Sequence, residues 1–220
     1  MEVSVIGSEM AGLFITFEGS EACGKSTQVK RLENRLRVLN REPVIVHEPG
    51  YTEIGTEIRH LLLHAKAGQS MQPETELLLF AASRAQLVRQ IIKPALARGA
   101  VVVSDRFYDS TTVYQGLARG LDPEFVARLN EFVVDGCKPD RTFVLDLDVE
   151  MASSRRLRRI RPVGGTDRIE ELPQEFFLKV RKGYHDLAAA EPNRVKLIDA
   201  APPADEVEEA IWRELNGLFS

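Results

Sequence analysis

Cysteine is scarce in this chain, and so are long apolar runs and any large excess of one charge. The two cysteines, Cys23 and Cys137, stand far apart with no Cys-x-x-Cys spacing, which argues against a disulfide scaffold or zinc site and indicates a reducing cytoplasm. No apolar run approaches the roughly 20 residues of a membrane span. The 29 basic and 33 acidic residues leave a formal charge of -4, so no basic field predicts binding to nucleic acid or to an anionic membrane. We therefore expect a small-molecule substrate.

The length of 220 residues and the hydrophobic content of 44% suffice for one well-filled core. Residues 1–12 contain Glu2 and Glu9 and lack a basic start followed by an apolar run, so they do not resemble a signal peptide. We interpret residues 1–12 as a loose tail, with Met10 as an alternative start, and predict a single domain over residues 13–220.

A glycine-rich motif follows a short apolar segment at residues 13–17. Residues 19–27 read GSEACGKST, which fits the pattern of Gly, four residues, Gly, Lys and Ser or Thr, and apolar residues at helical spacing come next. Strand, loop and helix in this order predict a loop whose backbone N–H groups bind the phosphates of ATP or GTP. Lys25 would reach the β- and γ-phosphates, and Ser26 would bind Mg²⁺. The predicted nucleotide-binding residues are Gly19, Ser20, Glu21, Ala22, Cys23, Gly24, Lys25, Ser26 and Thr27.

Four further apolar segments predict strands, at residues 44–46, 101–103, 141–147 and 195–198. Helical segments alternate with all of these strands. This alternation predicts an α/β fold, a doubly wound parallel sheet of five strands with helices on both faces.

Polar residues cluster where two of these strands end. His47-Glu48-Pro49-Gly50 follows the second strand, and Asp105, which we expect to hold or order magnesium, follows the third. Beyond Asp105, hydroxyl and amide side chains begin another helix, at Ser110, Thr111, Tyr114 and Gln115. Because ligand loops gather at the carboxyl edge of a parallel sheet, we expect these groups at one site.

Pro73 opens a long helical segment, residues 74–98, with an apolar face that includes Phe80 and Arg84 one turn apart. An arginine on an apolar stripe is costly to bury without a partner, so the pair predicts a pocket wall with a flat ring and a donor at its rim. The alternative is that Phe80 is a core residue. On the preceding helix, residues 53–64, His60 and His64 lack an acidic third ligand in register, which favours a solvated face over a metal site.

Five arginines occur within residues 155–161, followed by Pro162 and the pair Gly164-Gly165. Three interpretations are open: a nucleic-acid patch, a solvated helix end, or a mobile lid over residues 155–170 that closes on ATP. The lid is favoured, because Pro and paired Gly indicate a hinge and like charges repel until an anion arrives.

The sequence resembles the bacterial thymidylate kinase (dTMP kinase) family over nearly its whole length, from Leu13 to the last helix. The resemblance rests on several motifs together, whereas the glycine loop alone indicates only a nucleotide. The motifs are Phe17-Glu18-Gly19, Glu48-Pro49-Gly50, Glu76 to Ala81 with Arg84, Asp105-Arg106, Tyr114-Gln115-Gly116, Lys138-Pro139-Asp140 and Asp167-Arg168-Ile169-Glu170.

This resemblance implies a P-loop nucleoside monophosphate kinase fold and a homodimer that transfers the γ-phosphoryl group of MgATP to dTMP in dTTP synthesis. It also implies roles for single side chains. Phe80 would stack on thymine, Arg84 would hydrogen-bond its O4, Thr111 and Gln115 would face the base edge, and Tyr114 would lie against C2′ and disfavour a ribose. Glu21 would lie near the 3′-hydroxyl and the metal region, Arg106 would bridge the donor and acceptor phosphates, Arg59 would help to hold the dTMP phosphate, and Glu48 belongs to the substrate site.

The sequence departs from the family pattern in the loop after the second strand. His47 stands where many bacterial relatives have Arg, and Tyr51 replaces a common Gly. In one branch of the family an Arg stands at the position of Ala22, so here the catalytic arginine is expected from the lid, with Arg161 the first choice and Arg159 the second.

Two rival functions remain open at this stage. A deoxynucleoside kinase would need a carboxylate base, for which Glu48 is the candidate. A nucleotide-dependent switch or binding module would lack an acceptor pocket, and the chain contains no Asn-Lys-x-Asp guanine signature to support one.

Overall fold

The computed structural model describes residues 12–65, 68, 70–158 and 167–218. Within them lies a five-stranded sheet with helices on both faces, so the predicted fold class is confirmed. The strands are β1 (Leu13–Glu18), β2 (Val44–His47), β3 (Val101–Asp105), β4 (Arg141–Asp146) and β5 (Val195–Asp199). The expected tail, apart from Gly12, and much of the expected lid lie outside the described residues.

The sheet is parallel throughout, in the order β2-β3-β1-β4-β5. β3 lies between β1 and β2, and Asp105 pairs in register with both Phe17 and His47. The carboxyl ends of these three strands therefore meet at one edge, which brings the glycine loop, His47-Glu48 and Asp105-Arg106 together.

The helices that flank the sheet cover both faces. They are α1 (Lys25–Val38), α2 (Glu53–Leu63), α3 (Pro73–Leu87), α4 (Lys93–Ala97), α5 (Tyr108–Thr111), α6 (Pro123–Val134), α7 (Val149–Arg158), α8 (Gln174–Ala190) and α9 (Ala204–Leu215). Alternate residues of each strand enter different layers of the core. Ile15 and Phe17 pack with residues of α1 and α9, whereas Phe14 packs with the helices that follow α2.

The long helix predicted over residues 74–98 is present but not uniform. α3 passes through a π-helical segment, Val88–Ile92, into α4, which has Pro94 in its first turn. Proline has no backbone N–H and its ring crowds the preceding turn, which accounts for the wider turn here. A second π-helical segment, Thr112–Ala118, follows α5 and includes Tyr114 and Gln115.

Two expectations about the surface can be compared with the structure. His60 and His64 are both exposed, and the described residues contain no group of three or more His, Cys, Asp or Glu placed to hold a metal. No helix in the described ranges is long and apolar enough to cross a membrane.

Candidate active site

A cavity of about 470 Å³ opens at the carboxyl edge of β1, β2 and β3. It runs from the glycine loop past the ends of β2 and β3 to α3 and the π-helical segment 112–118. Its walls include Glu21, Ala22, Gly24, Lys25, Ser26, Thr27, His47, Glu48, Arg59, Phe80, Asp105, Arg106, Thr111, Tyr114 and Gln115. Most residues predicted for a site thus share one cavity.

The glycine loop has the backbone that phosphate binding requires. Gly19 has a φ of 131°, and a Cβ there would lie 2.6 Å from the carbonyl oxygen of Leu145. Gly24 begins α1 in a left-handed conformation with no side-chain cap, so the first N–H groups of the helix remain open to an anion. The Lys25 ammonium group donates to the carbonyl oxygens of Ser20 (2.7 Å) and Gly19 (3.2 Å), which holds its charge inside the loop.

The two residues predicted to hold a metal contact each other. The Ser26 hydroxyl donates to Oδ2 of Asp105 over 2.8 Å. This places a hydroxyl and a carboxylate side by side at the mouth of the glycine loop, where a hard cation that also binds phosphate oxygens finds suitable ligands.

Arg106 is the central cation of the cavity. Its backbone has a φ of 71°, a left-handed conformation that is strained for a non-glycine residue and common at functional sites. Its guanidinium group donates to the Glu21 carboxylate, to the carbonyl oxygen of Gly19 at 3.0 Å and to the Ser110 hydroxyl at 3.1 Å. The planar group lies 5.2 Å from the ring centre of Tyr114, so it is fixed from several sides.

Glu18 holds the Arg106 loop in place, a role that the sequence motif alone did not reveal. It is fully buried and accepts hydrogen bonds from the backbone N–H of Phe107 (2.8 Å), the Ser110 hydroxyl (2.6 Å) and the Tyr184 hydroxyl (2.7 Å). Burial raises the pKa of Glu18, although Arg106 and these hydroxyls act in the opposite direction. A charged residue ending a central strand was the available signal, since such a residue needs buried partners.

Glu48, which lines the cavity, forms a buried ion pair with Arg84, with Nε and Oε2 separated by 2.7 Å. Arg84 also donates to Phe107 and Asn130, and it is not among the residues that line the cavity. The sequence-based placement of Arg84 at the pocket rim is therefore corrected: the guanidinium group is drawn inward by the Glu48 carboxylate. Its hydrogen bond to O4 of thymine stays a prediction.

Two polar atoms at the cavity have no hydrogen-bond partner among the described residues. They are Oε1 of Glu48 and the hydroxyl of Thr111, both almost fully buried. Unsatisfied buried polar atoms are costly, so their presence at a cavity indicates a polar ligand there. Burial raises the pKa of Glu48 to about 7, with Arg84 opposing the shift.

The remaining predicted side chains line the cavity along α2, α3 and the π-helical segment 112–118. Phe80 is half-buried, lines the cavity and also packs against the core. Tyr114 and Gln115 are buried at the same wall. Arg59 donates to the carbonyl oxygen of Pro49 at 2.8 Å, which places its guanidinium group beside His47 and Glu48.

Comparison with known proteins identifies the family. The family model described as thymidylate kinase matches residues 17–211. The chain belongs to the thymidylate kinase family. It is 47% identical to the thymidylate kinase of Halothermothrix orenii, covering 96% of this chain and 99% of that one, and 44% identical to that of Deinococcus radiodurans, covering 91% and 95%. The crystal structure of thymidylate kinase from Ehrlichia chaffeensis superposes with a TM-score of 0.73 at 33% identity, covering 93% of this chain and 99% of that one. The family resemblance seen in the sequence motifs is confirmed.

The arginines of residues 155–161 in this member of the thymidylate kinase family do not all have the same surroundings. Arg155 donates to the carbonyl oxygens of Ala200 and Ala201, and Arg156 donates to that of Glu170. These two arginines thus hold α7 against neighbouring loops. Arg159 and Arg161, the candidates for catalysis, lie outside the described residues.

Proposed function

We propose that this protein transfers the γ-phosphoryl group of MgATP to the phosphate of dTMP, giving dTDP and ADP. Family membership supports this reaction. The observation that carries it is the single cavity that joins the glycine loop, through Asp105 and Arg106, to an acceptor pocket with an aromatic wall at Phe80. A nucleotide-binding switch would not need this second pocket.

The chemistry required of the protein is positioning and neutralisation of charge. Two polyanions must meet in line, and the acceptor oxygen of dTMP is already an anion, so no general base is needed. Lys25 would contact the β- and γ-phosphates, and Arg106 would contact both the transferred group and the dTMP phosphate. Glu21 forms an ion pair with the Arg106 guanidinium group, and this contact would help to fix its orientation toward both phosphates.

Ser26 and Asp105 would hold Mg²⁺ together with phosphate oxygens and water. The contact between the two residues fits this ion, which usually binds one or two protein oxygens beside its phosphates. Mg²⁺ bound there would neutralise charge on the β- and γ-phosphate oxygens.

We also infer a cytoplasmic homodimer. Several apolar side chains on α2, α3 and α6 are exposed, including Ile54, Leu78 and Phe125. Exposed apolar surface favours association with another protein surface, and a second copy of the chain is the partner that the family resemblance implies.

The decisive test compares acceptors. We expect ADP release from ATP to be fastest with dTMP, slower with dUMP, and near background with thymidine or without acceptor. The Lys25→Met variant serves as the control for contaminating kinases, because it removes the cation from the glycine loop. Turnover with thymidine but not with dTMP would contradict the proposal.

Turnover with thymidine alone would instead support a deoxynucleoside kinase, and one structural observation favours this alternative. The Oε1 atom of Glu48 has no partner among the described residues, and the pKa of Glu48 is raised to about 7, a value suited to a general base. The Arg84 ion pair, however, engages the other oxygen, and this arrangement equally suits a carboxylate that binds a substrate donor.

Replacing Phe80 by alanine tests the base pocket. If the ring stacks on thymine, the variant should lose about 1–3 kcal/mol of dTMP binding, the usual scale for a base on an aromatic ring, and KM should rise more for dTMP than for ATP. Steady-state kinetics with each substrate varied in turn provide the comparison.

The matched control for Phe80 is Leu77→Ala. Leu77 is buried on the same helix and does not line the cavity. Its loss should lower the melting temperature and leave both KM values nearly unchanged. If Phe80→Ala behaves in the same way, Phe80 is a core residue only.

A further inference from the structure

Glu76 is a buried carboxylate for which phosphoryl transfer supplies no role. It lies in the first turn of α3, one turn before Phe80, and is 1% exposed. Its Oε1 atom accepts from Nε2 of Gln115 at 2.8 Å and from Nε of Arg119 at 3.2 Å. Its Oε2 atom accepts from Arg119 at 3.0 Å and from Arg168 at 2.6 Å.

These partners keep Glu76 ionised. Burial by itself raises the pKa of a carboxyl group, but the hydrogen bonds from Arg119, Gln115 and Arg168 outweigh burial and lower the pKa of Glu76 below its usual value. An ionised carboxylate has no proton to donate, so both oxygens of Glu76 act only as acceptors at neutral pH.

The charge of Glu76 therefore dictates how the Gln115 amide is turned. A carboxamide has one donating and one accepting end, and only the NH₂ end can face a carboxylate. The carbonyl oxygen of Gln115 must point away from Glu76. Gln115 is 2% exposed, lines the cavity close to Thr111, and its Oε1 atom receives no hydrogen bond from any residue in the described part of the chain.

We propose that Glu76 is a positioning residue for base selection. By holding the Gln115 amide with its oxygen toward the cavity, it makes the site accept bases that carry an N–H donor at ring position 3, as thymine and uracil do. It makes the site reject cytosine, which carries an acceptor at that position. The inference rests on the proposed function, since it takes the cavity to hold the base of a nucleoside monophosphate.

The Glu76→Gln variant tests the proposal because it keeps the shape and changes the pattern of donors. Arg119 and Arg168 donate hydrogen bonds to the single oxygen of the new amide, so the NH₂ group of that amide turns toward Gln115. Gln115 must then rotate to accept, and its own NH₂ group faces the cavity. We expect the ratio of kcat/KM for dTMP over dCMP to fall by about 10- to 100-fold, with KM for ATP changed less than about twofold.

Two further variants separate selection from stability. Arg119→Met removes one cation from Glu76 and leaves its bond to Gln115, so it should lower the melting temperature and keep the dTMP/dCMP ratio within about twofold of the unmodified protein. Gln115→Met keeps the Glu76 ion pairs and removes the amide. It should lose discrimination about as strongly as Glu76→Gln, even if the latter folds poorly.

The proposal is overturned if Glu76→Gln lowers kcat/KM for both monophosphates equally, or if Gln115→Met discriminates as well as the unmodified chain. Calorimetric Kd values for dTMP and dCMP yield the same ratio without turnover. If the protein binds dTMP selectively but does not phosphorylate it, the proposed function is wrong. The Glu76 proposal is then still judged by the ratio of the two Kd values.

Discussion

Replacing Arg106 by methionine should lower kcat by about 10³-fold or more, while ATP continues to bind. Arg106 lines the cavity beside the glycine loop and is already held by Glu21, Gly19 and Ser110. A preorganised arginine that meets charge developing in the transition state contributes on this scale, because it pays little reorganisation when the reaction occurs. Single-turnover formation of dTDP at saturating substrates measures the loss.

Arg106→Lys is the companion variant. Lysine keeps the positive charge but cannot donate to two phosphate groups in a fixed fork, so it should recover only a small part of the lost rate. Because Arg106 also lies beside the buried Glu18, thermal melting of both variants is needed to show that the fold survives. Full activity in Arg106→Lys would mean that charge alone matters and that the geometry around Arg106 is incidental.

Arg161→Ala should lower kcat by at least about a hundredfold if the lid acts as an arginine finger, whose usual contribution is about 10³–10⁵ in turnover. The glycine loop carries Ala22 and no arginine, and the family resemblance implies that an arginine in addition to Arg106 then comes from the lid. Arg155 and Arg156 are engaged with backbone carbonyl oxygens of the fold, which favours the arginines beyond α7.

The measurement compares single-turnover rates of Arg161→Ala, Arg159→Ala and Arg156→Ala at saturating ATP and dTMP. Arg156→Ala is the control, since its contacts predict a loss of stability and little direct effect on the chemical step. Small and equal losses in all three variants would show that the cluster is a generic basic surface, and the lid mechanism would have to be abandoned.

Much of the site was predictable because its signals are local. The glycine loop depends on an eight-residue pattern, and the resemblance that motifs such as Glu48-Pro49-Gly50 and Asp105-Arg106 carry is confirmed by the family match. The residues that shape the backbone of each motif lie within the motif itself, so a short stretch of sequence is enough to recognise it. The roles of single side chains toward dTMP, by contrast, stay predictions.

Other features were beyond sequence reasoning. Arg84 was expected at a pocket rim, yet Glu48, 36 positions away in the chain, draws it into the interior. Glu76 was recognised only as part of a motif, and its hydrogen bond to Gln115, a residue predicted at the base edge, joins positions 39 apart in the chain. Glu18 was likewise recognised only as part of a motif, and only the structure shows that Phe107, Ser110 and Tyr184 surround it.

By itself the sequence determined the fold class, the glycine loop and the family, since periodicity and short motifs act through neighbouring residues. Only the tertiary structure decided which polar groups face each other. The order β2-β3-β1-β4-β5 places Asp105 beside Ser26, and nothing in the succession of strands and helices specifies that order. Burial is the physical reason, because an ionised side chain removed from water needs a partner from another part of the fold. The position of that partner determines whether the side chain faces the cavity or holds a neighbouring residue in place.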